Sequence, residues 1–101
     1  MIVEYSKQFV KVAYKLTGKY KLSLQRIIDE VKTANDVSEV TDCIKMVGLQ
    51  QTYRIKMGDY RLVFIVKMLD NIAIFQLLLS RGEVYKKGYE TILRKKEKRV
   101  G

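Results

Sequence analysis

Apolar residues recur every three or four positions in the first third of the chain, which is the spacing of one helix face. They form two stripes: Phe9, Val12, Ala13 and Leu16, then Leu24, Ile27, Ile28 and Val31. The pattern predicts a helix that begins after the N-cap Ser6 and ends at Thr17-Gly18, with Gly18 as its C′ residue. A second helix is predicted over residues 20–33, and so short a connection favours an antiparallel pair. Before them, Ile2 to Tyr5 could form a short edge strand.

Residues 34–51 show no clear period. Ser38 is a candidate cap for a short helical turn that runs through Cys43 and Ile44 and is broken at Gly48. We expect this segment to cross from the helices to a sheet.

From residue 53 onward the apolar period changes to two, as in a β-strand. Residues 53–66 alternate on both sides of Gly58-Asp59, and such a two-residue turn predicts a hairpin. In this register Met57 lies opposite Tyr60 and Lys56 lies opposite Arg61. One face is then the core side, formed by Tyr53, Ile55, Met57, Tyr60, Leu62 and Phe64.

After a second turn at residues 68–71, residues 72–80 are apolar on both faces, which predicts a buried strand. The basic residues 86–101 predict a short helix that frays, with a contact face formed by Tyr89, Ile92 and Leu93. The pattern therefore predicts an α+β fold. Two antiparallel N-terminal helices pack on a small, twisted, mainly antiparallel sheet made of the short first strand and a three-stranded meander, followed by the short C-terminal helix.

The second face of the hairpin carries Arg54, Lys56 and Arg61, followed by Val63 and Ile65. Like charges placed opposite each other destabilise a sheet, and an anion such as a nucleic-acid phosphate between them would relieve the repulsion. The alternative interpretation is a solvated, exposed face, which is common for charged residues.

The register of the last strand decides whether Arg81 joins these cations. An even number of residues in the turn after Met68 places Arg61 opposite Ser80, whereas an odd number or a β-bulge places it opposite Arg81.

Composition narrows the function. The chain has 101 residues with 48% hydrophobic content, which suits one domain over residues 1–101, and its net charge of +9 predicts an acidic partner: nucleic acid, an anionic membrane surface or an acidic protein. It has no histidine, which excludes Ser-His or Cys-His catalysis and His-ligated zinc. The one cysteine, Cys43, rules out an intramolecular disulfide and is expected to be a small buried apolar residue. No signal peptide or membrane-spanning run is visible, so we expect a cytoplasmic location with no membrane partner.

Three segments, taken together and in this order, are characteristic: Tyr53-Arg54-Ile55-Lys56, Gly58-Asp59-Tyr60-Arg61-Leu62-Val63, and Arg81-Gly82-Glu83-Val84-Tyr85. Together they resemble the RelE/ParE superfamily, the toxins of type II toxin–antitoxin systems. The resemblance covers nearly the whole chain, and Glu-Val-Tyr after the last strand favours the RelE-like branch. It implies a ribosome-dependent mRNA endoribonuclease that inhibits translation and needs no metal or cofactor. It also implies three partners: mRNA in the ribosomal A site, rRNA, and a cognate acidic antitoxin.

The resemblance also assigns residues. The family's basic pair on strand two corresponds to Arg54 and Lys56, its strand-three arginine to Arg61, and its C-terminal tyrosine to Tyr85. Arg81 lies four residues before that tyrosine rather than six as in RelE, so either the loop is shorter here or Arg81 is a different basic residue. The predicted catalytic residues are Lys56, Arg61, Arg81 and Tyr85. The predicted phosphate-binding residues are Arg54, Lys86 and Lys87.

Cleavage by attack of the 2′-hydroxyl on the adjacent phosphate needs a base, an acid for the leaving 5′-oxygen and stabilisation of the phosphorane. Lys56 is the candidate base, because the like charges of Arg54 and Arg61 favour its neutral form. Both arginines would hold the phosphate oxygens. Arg81 would stabilise the leaving group or donate to it, and Tyr85 would stack on a base or orient the hydroxyl.

Two other functions fit the same residues. A ParE-like protein would inhibit DNA gyrase without nuclease activity, although such a protein does not need a phosphate-shaped cluster. A basic binding module without activity, such as a toxin relic, is the third possibility.

Overall fold

A computed structural model describes residues 1–100, except for the side chains of Tyr85 and Lys87. Its helices and strands follow in the order β1 (Ile2–Tyr5), α1 (Lys7–Ala13), α2 (Gly18–Thr33), β2 (Cys43–Lys45), β3 (Thr52–Met57), β4 (Tyr60–Lys67), β5 (Ile72–Ser80) and α3 (Lys87–Val100), with 3-10 turns at Val37–Glu39 and Glu83–Tyr85. The sheet has the order β1-β5-β4-β3-β2, in which β1 runs parallel to β5 and the other pairs are antiparallel. This architecture confirms the predicted α+β fold.

The two N-terminal helices cover one face of the sheet. Ser6 caps α1 as predicted, since its Oγ accepts a hydrogen bond from the Phe9 amide at 3.1 Å. The core beneath them is aromatic: Phe9 and Phe64 each lie against Phe75, with ring centroids 5.3 and 5.2 Å away. The predicted core face of the hairpin packs in this layer.

The predicted end of the first helix is wrong. Helix α1 stops at Ala13, and the Lys15 and Leu16 amides donate to carbonyls three residues back in a tighter turn. Leu16 is still buried, so the apolar stripe continues past the helix that it predicted. Gly18 is the first residue of α2 rather than the C′ residue of α1.

The predicted helical turn through Cys43 and Ile44 is also wrong. These residues form β2, a fifth strand paired with β3, and Asp36 rather than Ser38 caps the short turn before it. Three residues are too few to show a strand period, so pairing with β3 decides their conformation. Cys43 is a free, half-buried cysteine. Burial, with a smaller contribution from the charge of Glu30, raises the pKa of its thiol to about 11.

Helix α3 covers the second face of the sheet, and it is longer than the fraying helix predicted from the sequence. Leu93 is fully buried and Tyr89 half-buried, as predicted, but Ile92 is 44% exposed, so that part of the predicted contact face is wrong. Leu93 belongs to an apolar cluster with Leu49, Val63, Leu77, Leu79 and Val84. Among the residues described, no helix combines the length and apolar character needed to cross a membrane.

Candidate functional site

The tip of the β3–β4 hairpin brings Lys56 and Arg61 together. The predicted register is confirmed, with Lys56 opposite Arg61 and Met57 opposite Tyr60. Gly58 has φ +57°, which fits the first central position of a tight hairpin turn. The Lys56 amide donates to Asp42 on the β2 side, so Lys56 and Arg61 form a non-hydrogen-bonded pair. In such a pair the Cβ atoms lie about 5 Å apart, so both cationic side chains start from the same small area of the hairpin tip.

The side chain of Arg61 is held by the turn itself. Its Nη1 donates to the carbonyl oxygens of Gly58 and Tyr60, both at 2.9 Å. Its Nε is buried and has no acceptor among the described residues. A buried donor without a partner costs about 1–3 kcal/mol, so such groups are uncommon outside functional sites. The guanidinium is therefore a positioned donor whose hydrogen-bonding capacity is not fully used within the chain.

Three cations near the hairpin tip, Lys56, Arg61 and Arg81, have no carboxylate partner in the described part of the chain. By contrast, Lys67 pairs with Asp70 and Arg94 pairs with Glu90. Lys56 and Arg81 are exposed, and Arg61 is half-buried. These three positive charges are therefore available to an external anion.

The register that places Arg81 differs from both predicted registers. Arg61 lies opposite Leu79, neither Ser80 nor Arg81. The reason is that a four-residue turn joins Lys67 to Ile72, and a bulge between Val63 and Phe64 then shifts the register by one residue.

The strand ladder nevertheless continues past its last paired strand residues, because the Arg81 amide donates to the Asp59 carbonyl at 2.9 Å. Arg81 therefore lies beside the hairpin turn, in the turn that follows the end of β5 at Ser80. Asp59 stands opposite Arg81 without pairing with it.

The remaining predicted residues divide into two groups. Arg54 lies on the same face as Lys56, opposite Ile44 of β2, and lines a cleft with the exposed Lys86. The side chains of Tyr85 and Lys87 lie outside the described residues, so their predicted roles stay predictions. Sequence reasoning missed the contribution of β2, because its three residues carry no periodic signal.

Comparisons with known proteins find relatives with a similar sequence and a similar fold. No protein-family model matches the chain. It is 29% identical over 86 residues to the toxin RelE3 of Methanocaldococcus jannaschii, an alignment that covers 84% of this chain and 96% of that one.

Two solved structures are also similar. A chain of the RelB-RelE antitoxin-toxin complex from Methanococcus jannaschii matches with TM-score 0.68 and 28% identity, over 81% of this chain and 94% of that chain. A chain of the archaeal RelE-RelB complex from Pyrococcus horikoshii matches with the same TM-score and identity, over 80% and 94%. The chain is similar in sequence and in fold to archaeal RelE toxins, which supports the predicted resemblance to the RelE-like branch of the RelE/ParE superfamily.

Proposed function

We propose that this protein is the toxin of a type II toxin–antitoxin system and cleaves mRNA in the ribosomal A site. The observation that carries the proposal is the cross-strand pair of Lys56 and Arg61, with Arg81 beside the hairpin turn and no carboxylate paired with any of them in the described chain. Cations that repel one another are stabilised by a shared anion, and a phosphodiester supplies one. Relatives named as RelE toxins support the toxin role.

In the proposed reaction, the 2′-oxygen forms a bond to the adjacent phosphorus and the bond from phosphorus to the 5′-oxygen breaks. Lys56 accepts the 2′-hydroxyl proton. Arg61 is preorganised by its two carbonyl contacts and stabilises the charge on the phosphorane. Arg81 stabilises the leaving 5′-oxygen, which takes up a proton from water, while Lys56 returns the 2′-hydroxyl proton to the solvent. The products are a 2′,3′-cyclic phosphate and a 5′-hydroxyl end, and the step uses no metal or cofactor.

Without histidine, the acid–base groups at this site are weak at neutral pH. Positioning of the reacting atoms can contribute as much as about 7–11 kcal/mol to such a barrier. We therefore propose that the ribosome supplies the alignment of the mRNA. Free RNA should then be cut poorly compared with mRNA that is being translated.

The proposed partner that silences the toxin is an acidic antitoxin. A net charge of +9 favours a partner that is acidic where it binds. The antitoxin could cover the hairpin cations directly, or it could displace α3 and take its place on the same face. Either arrangement would block access of the RNA. A cognate antitoxin bound solely to α1 and α2, on the opposite face, would contradict this masking.

The experiment is a translation extract programmed with a defined mRNA, followed by mapping of the new 5′ ends. We expect the unmutated protein to cut, and Lys56→Ala and Arg61→Ala each to lower the cleavage rate by at least about 10²-fold. Lys56→Arg keeps the charge but removes the amine that can lose a proton, so it should remain slow. The matched control is Lys11→Ala, an exposed cation on α1, which should cut normally.

Two outcomes would contradict the proposal. Intact mRNA together with gyrase-linked DNA breaks would instead support the ParE-like alternative. Unchanged arrest of host growth by Lys56→Ala and Arg61→Ala would show that these cations do no chemistry.

A further inference from the structure

A cleft of about 390 Å³ opens beside the candidate phosphate site. Apolar walls are provided by Ile44, Met46 and Val84, and the cations Arg54 and Lys86 line it as well. Proteins that bind single-stranded RNA combine an apolar surface, which contacts an unstacked base, with cations that bind its phosphate. This cleft has both. The volume lies within the range of small-molecule sites and is large enough for a base with its ribose.

The cleft is continuous with the phosphate site through Arg54. Arg54 lies opposite Ile44 of β2, and it is two residues from Lys56 on the same strand face. Alternate residues of a strand are about 7 Å apart, which is close to one step of an extended RNA backbone. If the reacting phosphate lies at Lys56 and Arg61, the neighbouring nucleotide therefore lies next to Arg54.

One wall of the cleft carries a positioned acceptor. Glu90 Oε1 accepts from Arg94 Nη2 at 2.8 Å, and the same nitrogen also donates to the Gly48 carbonyl at 3.3 Å. These contacts tie the carboxylate to both α3 and the β2–β3 loop. Its second oxygen, Oε2, accepts no hydrogen bond from any described residue. A carboxylate oxygen held in this way can accept from the amino or imino group of a base.

We propose that this cleft binds the base of the nucleotide next to the scissile phosphate, and that Glu90 selects bases that donate a hydrogen bond. The inference rests on the proposed function, since it assumes that the phosphate site acts on RNA. It adds a specificity-determining residue that lies outside the cluster of hairpin cations.

The test compares Glu90→Gln with the unmutated protein by sequencing all cleavage sites in the translation extract. Because Arg94 keeps the amide oxygen of the glutamine on its own side, the NH₂ group faces the cleft and a donor replaces an acceptor. At one position beside the cut, the unmutated protein should favour bases that donate a hydrogen bond. In Glu90→Gln we expect the ratio of these bases to bases that present an acceptor to fall about tenfold. Glu4→Gln, the same change on the exposed opposite edge strand β1, should leave the sequence profile unchanged.

A second measurement does not depend on cleavage. Amide chemical shifts are followed while the protein is titrated with an RNA trinucleotide that lacks the 2′-hydroxyl at its reactive position. We expect shifts at residues 44–47 and 84–90 that depend on base identity in the unmutated protein and lose that dependence in Glu90→Gln.

The possible failures can be told apart. If the protein cuts mRNA and Glu90→Gln leaves the sequence profile unchanged, the base subsite is overturned and the proposed function stands. If the protein cuts no mRNA, the proposed function fails. The titration then decides by itself whether the cleft binds a base. Shifts confined to the hairpin tip, or spread evenly over the surface lysines, would overturn the subsite in either case.

Discussion

The two faces of the sheet are held by different kinds of interaction. The face beneath α1 and α2 is a continuous apolar layer, in which Phe9, Phe64 and Phe75 are at most 1% exposed. The face beneath α3 is divided, because α3 covers an apolar cluster on one part and the hairpin cations occupy the end near Gly58. Because one end of this face carries charged side chains, a single apolar helix cannot cover the whole face.

Helix α3 is therefore attached by a smaller apolar contact supplemented by polar ones. Glu97 accepts from the Gln51 amide at 2.6 Å and from Thr52 Oγ1 at 2.7 Å, and Lys96 Nζ donates to Gln76 Oε1 at 3.2 Å. Partly exposed polar contacts contribute only about 0.5–1.5 kcal/mol each. We infer that α3 opens at a lower free-energy cost than the sheet and the two N-terminal helices.

The largest expected effect tests this difference directly. Phe75→Ala should lower the free energy of unfolding by about 3–5 kcal/mol, because it empties the centre of the aromatic layer. Leu93→Ala should cost less, about 2 kcal/mol, since α3 can settle onto the smaller cluster. Urea unfolding gives both values, and amide hydrogen exchange should show faster exchange in α3 alone for Leu93→Ala. Leu69→Ala, at a fully exposed side chain, is the control and should change stability by no more than about 0.5 kcal/mol.

Equal losses of unfolding free energy in the two variants would show that the two sheet faces are equally stable. So would α3 amides in Leu93→Ala that exchange only through global unfolding, since the helix would then be part of the same cooperative unit as the sheet.

The same division explains what the sequence could predict. The helical face was predictable because burial imposes a period on Leu24, Ile28 and Val31, and the hairpin register followed from the local turn at Gly58. The β4–β5 bulge was not predictable, since the Gln76 carbonyl at this point accepts from Ser6 Oγ, 70 residues away. Contacts at such separation leave no local periodic signal.

The candidate site was predictable in its residue types and in the pairing of Lys56 with Arg61, which the hairpin turn sets. Its finer geometry was not. The two carbonyls that hold Arg61 depend on the fold-back of one side chain, and no pattern of residue types specifies that conformation. The cleft beside Arg54 needs β2 and α3, which are joined there through the Glu90 and Arg94 contacts to the Gly48 loop.

The contact between α3 and the β2–β3 loop can be tested at Gly48. Gly48 has φ +81°, and a Cβ there would lie 2.9 Å from Glu90 Oε1, so Gly48→Ala combines backbone strain with a close contact. We expect a loss of about 1–2 kcal/mol in the free energy of unfolding. Gly18→Ala is the matched control, because Gly18 has φ +57° with nothing within 4 Å of its added Cβ.

The difference between the two glycine variants isolates the contact with Glu90. If Gly48→Ala is no more costly than Gly18→Ala, the Glu90 side chain moves aside freely, and the loop and α3 do not constrain each other.

The smallest expected effect concerns pH. Partial burial raises the pKa of Glu97, but hydrogen bonds from Thr52 and the backbone amides of Gln51 and Gln50, with the charge of Arg94, outweigh it and lower the pKa overall. The stabilisation is therefore present above about pH 4.3, where glutamate titrates in the unfolded chain, and is lost as pH falls through the lower folded value.

Hydrogen exchange of the α3 amides should accordingly rise below about pH 4, after correction for the intrinsic pH dependence of exchange. Glu97→Gln keeps an acceptor oxygen but no charge, so it should cost about 1 kcal/mol at neutral pH and remove this acid-dependent step. Asp36 and Glu83 also have lowered pKa values, from hydrogen bonds with Ser38 and Ser80, so the difference between the variant and the unmutated protein is the quantity to measure. An acid-dependent step of the same size in both would mean that the charge of Glu97 does not help to hold α3.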